Sequence, residues 1–457
     1  MMLSVGSGEG KMAEQGKMVE VRRFYIQNFG CRATQADGAA LGSRLTHDGH
    51  TEVAERAHAD LVVLNTCTVT SNADDDVRQA VRRVRRENPA AQILVTGCYA
   101  QRAPEELSVL PGVRWVVGNS HKAAIPEIIA RSGHEVDFHG EILVGDIALQ
   151  REFLSAPILE TRGDRTRPNL KVQDGCDNRC SFCIIPSVRG PSRSAAAEQV
   201  VAQVRDLAPR HREIVLSGIN LGRWGRDAGK TREFRLVNLV RRLLDETPVE
   251  RLRLSSVEPM DYSDELLGLM ARAGGRVAAH VHAPLQSGCD ATLKRMKRRY
   301  RSRHYARRME RAFALLPDAG FGADVMVGFP GETDSEFEQS ARFIESMPFT
   351  YLHVFTYSER PGTPAAGYEG HVAMPVRKDR NRVLREIAAA KNLAFRRRFV
   401  GRTLSAVTLE KSRALTTNFI QLELEAGCPA NRLMNFKIGA LTETGLRPPP
   451  LLPVLAR

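Results

Sequence analysis

Residues 173–183 read QDGCDNRCSFC, a stretch that places three cysteines on one short loop. Cys176, Cys180 and Cys183 have the spacing C-x3-C-x2-C, so each thiolate can bind one iron of a 4Fe-4S cubane. The fourth iron then lacks a protein ligand, whereas electron-transfer clusters normally use four cysteines. A zinc site or three unrelated core thiols are the alternatives, and the absence of a second Cys or His pair nearby in the sequence disfavours zinc. The motif therefore predicts an iron-sulfur cluster with one open, reactive corner.

The residues around this loop resemble the signature of radical S-adenosylmethionine enzymes. In that signature an aromatic residue before the third cysteine, here Phe182, lies against the adenine of the cofactor; ordinary packing is its alternative role. Downstream, IIPSVRG at 184–190 and SRS at 192–194 are similar to the methylthiotransferase family, which inserts a sulfur and then a methyl group into tRNA or a ribosomal protein. The resemblance runs over roughly residues 21–440 and implies S-adenosyl-L-methionine as cofactor.

Length and composition indicate a soluble multidomain protein. The 457 residues exceed what one hydrophobic core usually holds, so two or three domains are expected. Residues 1–20 lack a signal-peptide core and are predicted to be a disordered tail, and no apolar run has membrane-spanning length. We therefore expect a cytoplasmic protein without a membrane partner. In that reducing compartment, eight cysteines favour metal binding or burial over disulfides.

The charge balance points to a polyanionic partner. Lys and Arg number 66 against 53 Asp and Glu, which gives a formal net charge of +13. Basic residues concentrate at 82–86, 294–311 and 396–398. Each run alone is also compatible with the solvated face of a helix. Together they favour RNA of the size of tRNA, without indicating its sequence.

Residues 21–150 alternate between strand and helix patterns, which predicts a βαβ parallel-sheet domain. Cys31, Cys67 and Cys98 each follow the end of a different predicted strand. Because the carboxyl ends of parallel strands meet at one edge, the three thiols are expected to lie together as a second three-thiolate site. Burial as small hydrophobic residues is the alternative.

The surroundings of these cysteines resemble the three motifs that hold an auxiliary 4Fe-4S cluster in the N-terminal domain of the methylthiotransferase family. The motifs here are NFGCRA at 28–33, NTCTVT at 65–70 and TGC at 96–98. The resemblance thus implies two 4Fe-4S clusters. Cys289 and Cys428 match none of these motifs, and we interpret both as structural.

A polar linker is predicted at 151–168, followed by six strands alternating with helices in a core spanning 169–400. The predicted strands are 170–173, 213–217, 252–256, 277–285, 323–328 and 352–357. Six βα units are too few for a closed eight-stranded barrel. This pattern, with the cysteine loop after the first strand, fits the open (βα)6 partial TIM barrel of radical S-adenosylmethionine enzymes.

Polar and glycine residues follow these strands, where ligands of such barrels bind. The resemblance assigns cofactor contacts to Ser217, Gly218, Asn220, Ser255, Gln286 and Gly328. His280 and His282 share one face of the fourth strand and could point into the barrel, but we interpret them as satisfied core histidines. The resemblance implies no catalytic side chains beyond the cluster cysteines.

Short runs of period-two alternation between residues 401 and 446 predict a small antiparallel β-barrel. This region resembles the family's C-terminal RNA-binding domain, of the TRAM type. It is short and only mildly basic, and residues 447–457 are predicted to be a tail.

The resemblance implies a function. Residues 31–37, CRATQAD, look most similar to the branch that adds a methylthio group to carbon 2 of N6-threonylcarbamoyladenosine at position 37 of tRNA. Its partners would be the anticodon loop of tRNA, an electron donor such as flavodoxin or ferredoxin, and a sulfur donor. Isopentenyladenosine tRNA and a ribosomal-protein aspartate are alternative substrates. A non-catalytic iron-sulfur RNA-binding protein and an electron-transfer protein are the alternatives from other classes.

Overall fold

The computed structural model describes residues 22–131, 140–151, 153, 166–229 and 235–449. The predicted tail at 1–20, most of the tail at 447–457 and most of the linker at 151–168 fall outside these ranges. Among the described helices, none combines the length and the apolar character that crossing a membrane requires.

The N-terminal domain is a parallel α/β sheet, as predicted. Its strands are β1 (Arg23–Asn28), β2 (Thr51–Glu52), β3 (Leu61–Thr66), β4 (Gln92–Gly97), β5 (Val113–Gly118) and β6 (Glu141–Leu143). Its helices are α1 (Arg32–His47), α2 (Ser71–Glu87), α3 (Cys98–Arg102), α4 (Pro104–Ser108) and α5 (Ile125–Arg131). The order is β2-β1-β3-β4-β5-β6 with every pairing parallel. The two faces of the sheet bury separate apolar clusters. Because β1, β3 and β4 pair in parallel, their carboxyl ends lie at one common edge.

The second domain contains the six predicted parallel strands of an open barrel. Its strands are β7 (Asn169–Asp174), β8 (Arg193–Ser194), β9 (Ile214–Gly218), β10 (Leu252–Leu254), β11 (His280–His282), β12 (Gly320–Val327) and β13 (Tyr351–Thr356). Its helices are α6 (Ile185–Arg189), α7 (Ala197–Leu207), α8 (Leu236–Glu246), α9 (Asp264–Arg272), α10 (Asp290–Arg295), α11 (Ser302–Leu315), α12 (Asp334–Ser346) and α13 (Met374–Arg397).

These strands form two hydrogen-bonded sections, β10-β9-β7-β8 and β11-β12-β13. An isolated bridge between Leu252 and Val277 joins the two sections. The fourth barrel strand, β11, is shorter than the predicted range 277–285. The short β8 is antiparallel to β7 and was not predicted. Helix α1 of the N-terminal domain packs against β7 and β9, which places it beside the open side of the barrel.

The C-terminal domain is a curled, mainly antiparallel sheet. Its strands are β14 (Thr403–Leu409), β15 (Arg413–Thr416), β16 (Gln421–Glu423), β17 (Leu433–Lys437), β18 (Ala440–Leu441) and β19 (Leu446–Arg447). The order is β17-β14-β15-β16-β19-β18, and only the β16–β19 pairing among these described strands is parallel. The predicted antiparallel character is confirmed.

The turn between β15 and β16 closes the amino-terminal end of the barrel. The Phe419 ring stacks on His280 with 4.3 Å between ring centroids. The Arg253 guanidinium lies over the Phe419 ring, 5.6 Å from its centroid. Arg253 also donates hydrogen bonds to the carbonyls of Thr416 and Thr417, at 2.9 and 3.1 Å. A Cβ on Gly320 would lie 2.3 Å from the carbonyl oxygen of Asn418, so this floor requires glycine there. We refer to the Thr416–Phe419 turn as the barrel floor.

A buried ion pair beneath the barrel floor makes stability depend on acid pH. Burial alone would raise the pKa of Glu213, but Arg253 and Arg167 lower it to about 2. Its contribution is therefore complete above the ordinary pKa of 4.5 and is lost as pH falls towards 2, by about 3 kcal/mol. Urea unfolding of the metal-free protein between pH 5 and pH 2.5 should show this loss. The Glu213→Gln variant should be less stable at neutral pH and should lose less stability on acidification; an unchanged pH dependence would contradict the assignment.

Candidate functional site

The loop after β7 brings Cys176, Cys180 and Cys183 to the carboxyl end of the barrel strands. All three thiols are free and partly exposed. The backbone N–H of Asn178 and the side-chain amide of Asn220 donate to Cys176 Sγ at 3.4 and 3.5 Å. Such donors stabilise a thiolate, which is the form that binds iron.

A buried arginine supports the middle cysteine of the loop. Arg298 donates from Nη1 to Cys180 Sγ at 3.2 Å, while its Nη2 contacts both carboxylate oxygens of Glu258 at 2.8 and 2.6 Å. Burial raises the pKa of the Cys183 thiol to about 12, so at neutral pH iron would have to displace its proton. The fixed charge of Arg298 offsets part of the negative charge that three thiolates bring to this site.

Two of the predicted cofactor contacts carry buried polar atoms without a hydrogen-bond partner. These atoms are Asn220 Oδ1 and Ser255 Oγ. Native proteins rarely leave such atoms unsatisfied unless a ligand or water completes them. Both follow barrel strands, β9 and β10, on the side of the cysteine loop. The residues therefore fit a polar ligand such as S-adenosylmethionine above the three cysteines.

The other predicted contacts lie on the same rim. Gly218 approaches Gln173 so closely that a Cβ would lie 2.9 Å from the Gln173 Cβ. Gln286 and Gly328 both have positive φ, at 67° and 73°, which turns the chain sharply after β11 and β12. Ser217 is buried and contacts the carbonyl of Leu170 at 3.5 Å. Phe182 packs edge-on against Phe329, with ring centroids 6.4 Å apart, so its packing role is present in this structure.

Cys31, Cys67 and Cys98 meet at the common edge of the N-terminal sheet, as expected from their positions after β1, β3 and β4. A Cβ on Gly30 would lie 2.6 Å from Cys67 Sγ, so glycine is needed for the first segment to approach the second. Burial, and then the neighbouring thiols of Cys98 and Cys31, raise the pKa of Cys67 to about 12. Mutual repulsion of this kind requires the three sulfurs to be close, which fits a shared cluster with one open corner.

A network of buried charges joins this sheet edge to the barrel. We call it the interface charge cluster; its members are Asp37, Lys122, Lys171, Asp174, Arg189 and Arg193. Arg189 Nη2 contacts Asp37 at 3.0 Å, and its Nη1 contacts Asp174 at 2.9 Å. Four cations face two carboxylates, which leaves an excess of two positive charges.

This excess lies next to the auxiliary cysteines. Burial alone would lower the pKa of Arg189, but Cys98, Asp174 and Asp37 hold it well above its usual value. Asn119 also donates from Nδ2 towards Cys98 Sγ, at 3.6 Å. The interface charge cluster therefore supplies fixed positive charge to a site that becomes negative when its thiols ionise.

The inner face of the barrel is polar. Val281, Phe321 and Val354 pack into the core, so the alternating residues of β11, β12 and β13 face the lumen. These are His280, His282, Asp324, Tyr351 and His353. His282 Nδ1 lies 2.7 Å from Ser256 Oγ, and His353 Nδ1 lies 3.1 Å from Asp324 Oδ1.

The interpretation of His280 and His282 as satisfied core histidines is only partly right. Both are buried, and His280 Nε2 bonds to the Tyr351 hydroxyl at 2.6 Å. However, His280 Nδ1 and His282 Nε2 are buried without a hydrogen-bond partner. The period-two pattern placed both on one face, but it could not show that this face is the lumen.

Sequence reasoning missed the supporting arginines. Arg298 lies in the basic run 294–311 that suggested an RNA-binding surface, and it is buried beside Cys180 instead. Arg396, in the run 396–398, is also buried and donates to the carbonyls of Thr442 and Gly445 at 2.9 and 2.7 Å. Neither residue is available to RNA. No local pattern separates these two arginines from their exposed neighbours.

Comparison with known proteins agrees with this geometry. The family described as Uncharacterized protein family UPF0004 matches residues 23–118, and the Radical SAM superfamily matches residues 170–344. The structure of the radical S-adenosylmethionine methyltransferase TsrM from Kitasatospora setae superposes with a TM-score of 0.54 at 16% identity, over 75% of each chain. At this identity, the likeness shows only that the two proteins share a fold over the aligned part.

Several relatives match most of the chain. Threonylcarbamoyladenosine tRNA methylthiotransferase MtaB of Aquifex aeolicus is 35% identical over 415 residues, which cover 90% of this chain and 99% of the relative. The protein of the same name from Bacillus subtilis is 39% identical over 376 residues, which cover 81% and 80%. The chain therefore belongs to the family of radical S-adenosylmethionine threonylcarbamoyladenosine tRNA methylthiotransferases.

Proposed function

We propose that the protein adds a methylthio group to carbon 2 of N6-threonylcarbamoyladenosine at position 37 of tRNA. The protein is an enzyme whose cofactors are S-adenosyl-L-methionine and two 4Fe-4S clusters. The observation that carries the proposal is the presence of two three-cysteine sites, one on each side of a single domain interface, in a chain that matches these relatives over most of its length.

Cys176, Cys180 and Cys183 would hold the cluster that binds S-adenosylmethionine at its open iron. When bound, that cofactor supplies a carbon-centred radical able to remove an unactivated hydrogen atom. The rim residues orient the cofactor: Asn220 and Ser255 offer their unpartnered oxygens, and Gly218 leaves room for its approach. Gln286, Gly328 and Phe182 border its adenine side in this proposal, and Ser217 supports the turn that carries Gly218.

Cys31, Cys67 and Cys98 would hold the auxiliary cluster, whose open corner carries the sulfur to be transferred. The chain contributes by placing this sheet edge against the barrel and by neutralising its charge through the interface charge cluster. A substrate base held between the two sites can present carbon 2 to both. Half-exposed Phe355, on the lumen face of β13, offers a flat apolar surface on which a splayed base can stack.

The tRNA, an electron donor such as flavodoxin or ferredoxin, and a sulfur donor are the proposed partners, and a cytoplasmic location follows from a tRNA substrate. Arg82, Arg83 and Arg86 on α2 are exposed and suit phosphate contacts. We also assign RNA binding to the C-terminal domain, because its sequence resembles the TRAM-type RNA-binding domain of the family. The anticodon loop suits this site because its bases can leave the stack.

The test is mass spectrometry of nucleosides from a bacterial strain that lacks its own threonylcarbamoyladenosine methylthiotransferase. Supplying this gene should restore the methylthio form of threonylcarbamoyladenosine, and Cys183→Ala should abolish it because the open-iron site loses a ligand. Cys428→Ala, outside both cysteine sets, is the matched control and should retain the product. If soluble, iron-loaded protein yields methylthio-isopentenyladenosine or a modified ribosomal protein instead, the proposed substrate is wrong.

A further inference from the structure

The Arg32 side chain carries a guanidinium without a partner at the amino-terminal end of the barrel lumen, near the barrel floor. It is the first residue of α1, directly after Cys31, and its carbonyl oxygen accepts a hydrogen bond from Asn169 Nδ2 of β7 at 2.6 Å. The side chain is half-buried. Within the part of the chain that the structure describes, its guanidinium forms no hydrogen bond and no ion pair. A cation removed from water without a partner is costly, which is unusual unless a ligand completes it.

The surroundings of Arg32 carry an excess of positive charge. Burial lowers the pKa of Arg32, and the cations of Arg167 and Arg253 lower it further. Glu213 is the nearest opposite charge, but both of its oxygens are already bound by Arg253, at 2.7 and 3.0 Å. This part of the lumen therefore favours an anion.

The lumen also offers unpartnered donors near this cation. His280, whose low pKa results from burial and from Arg253, His282 and Arg32, leaves Nδ1 free. His282 Nε2 lies 3.4 Å from Asp324 Oδ1, yet without hydrogen-bond geometry. Asp324 Oδ1 also lies 3.1 Å from His353 Nδ1. A ligand that reaches this end of the lumen from the mouth would meet a cation and two imidazole nitrogens.

We propose that Arg32 binds the carboxylate of the threonyl group on N6 of the substrate adenosine and thereby selects the threonylcarbamoylated nucleoside. This inference rests on the proposed function. The threonyl carboxylate is the anion that the modified base itself carries. Its carrier nitrogen, N6, is attached to ring carbon 6, which only N1 separates from carbon 2. A base whose carbon 2 is presented beside Cys31 therefore directs this substituent towards the residue that follows Cys31.

A backbone phosphate is a less suitable ligand for Arg32. The barrel floor closes the far end of the lumen, so a polynucleotide cannot thread through it. A single base with its side chain can enter from the mouth, where His353 and Phe355 are exposed. Arginine also matches a carboxylate in a bidentate manner, which gives a directional contact.

The test compares the binding of two anticodon stem-loop RNAs, one with adenosine and one with threonylcarbamoyladenosine at position 37, measured anaerobically by fluorescence anisotropy. The wild-type protein should bind the modified RNA about 10- to 100-fold more tightly, as expected for hydrogen bonds to a charged group. Arg32→Gln should reduce this ratio to near one while binding of the unmodified RNA stays unchanged. Arg342→Gln, which removes an exposed charge on α12, should retain the full ratio.

Three outcomes would overturn the proposal. If Arg32→Gln keeps the wild-type ratio, Arg32 does not read the modification. If it weakens both RNAs equally, Arg32 contacts phosphate. If the wild-type protein itself does not distinguish the RNAs, the substrate assigned under the proposed function fails together with this contact.

A second measurement uses only the wild-type protein and so does not depend on how the variant folds. An RNA whose threonyl carboxylate is converted to its methyl ester should lose the 10- to 100-fold advantage. A separate control for the first experiment is the iron content of Arg32→Gln, which should equal that of wild type because Cys31 is unchanged. Retained tight binding of the ester RNA would exclude carboxylate recognition.

Discussion

Cys98→Ala should lower the rate of methylthio transfer by about 1,000-fold or more, which is the scale of losing an essential catalytic group. The variant should nevertheless still cleave S-adenosylmethionine to 5'-deoxyadenosine. The reason is the separation of the two cysteine sets: Cys98 is buried at the edge of the N-terminal sheet, whereas Cys176, Cys180 and Cys183 lie on the barrel loop. The iron content should fall from about eight to about four atoms per chain, since one of two cubanes is lost.

The converse variant separates the two sites further. Cys183→Ala should also lose about half of the iron, but it should lose deoxyadenosine production as well. Cys289→Ala is the matched control, because Cys289 is buried but contacts Gln339 rather than either cysteine set. Full methylthio transfer by Cys98→Ala, or full deoxyadenosine production by Cys183→Ala, would contradict the assignment of the two sites.

The second large effect concerns Asp37, at the centre of the interface charge cluster. Its carboxylate contacts Lys122 at 3.3 Å, Arg189 at 3.0 Å and Lys171. Asp37→Asn keeps the shape but removes the charge, which leaves the four cations of the cluster with Asp174 as their remaining carboxylate. Breaking a buried pair in this way costs about 3–5 kcal/mol.

Urea unfolding should report this cost, because the cluster stabilises the N-terminal domain and holds it against the barrel. We expect a lower midpoint for Asp37→Asn and reduced iron in the auxiliary site, because Arg189 and Lys122 belong both to this cluster and to the surroundings of Cys98. Asp75→Ala, which removes an exposed i,i+3 pair with Arg78, is the control and should cost less than about 1 kcal/mol. Equal effects of the two substitutions would show that the interface charge cluster contributes little to stability.

Much of the fold follows from local sequence patterns. The alternation of strands and helices predicts the parallel sheet and the six barrel strands, because their period and their turn residues are local properties. The meeting of Cys31, Cys67 and Cys98 also follows from topology alone, since β1, β3 and β4 pair in parallel and end at one edge.

The supporting charges could not be predicted in the same way. Asp37 and Arg189 are far apart in sequence and meet only because α1 packs against the barrel. Arg298 is one cation in a run of basic residues, and its burial depends on the fold of the loop it supports. Likewise, the free guanidinium of Arg32 is visible only once its possible partners are placed. The sequence therefore predicts the helices and strands, but not the contacts between residues that are distant in the chain.

The barrel floor has a consequence for the order in which the protein matures. Its residues, including Phe419, follow both cysteine sets in the chain and are therefore synthesised after them. Domains generally fold from the amino terminus onwards during synthesis. The lumen of the nascent barrel therefore stays open at its lower end until the C-terminal domain has been synthesised. A chain that terminates early would have both iron sites but a barrel with water at its base, with Glu213 and Arg253 exposed to solvent.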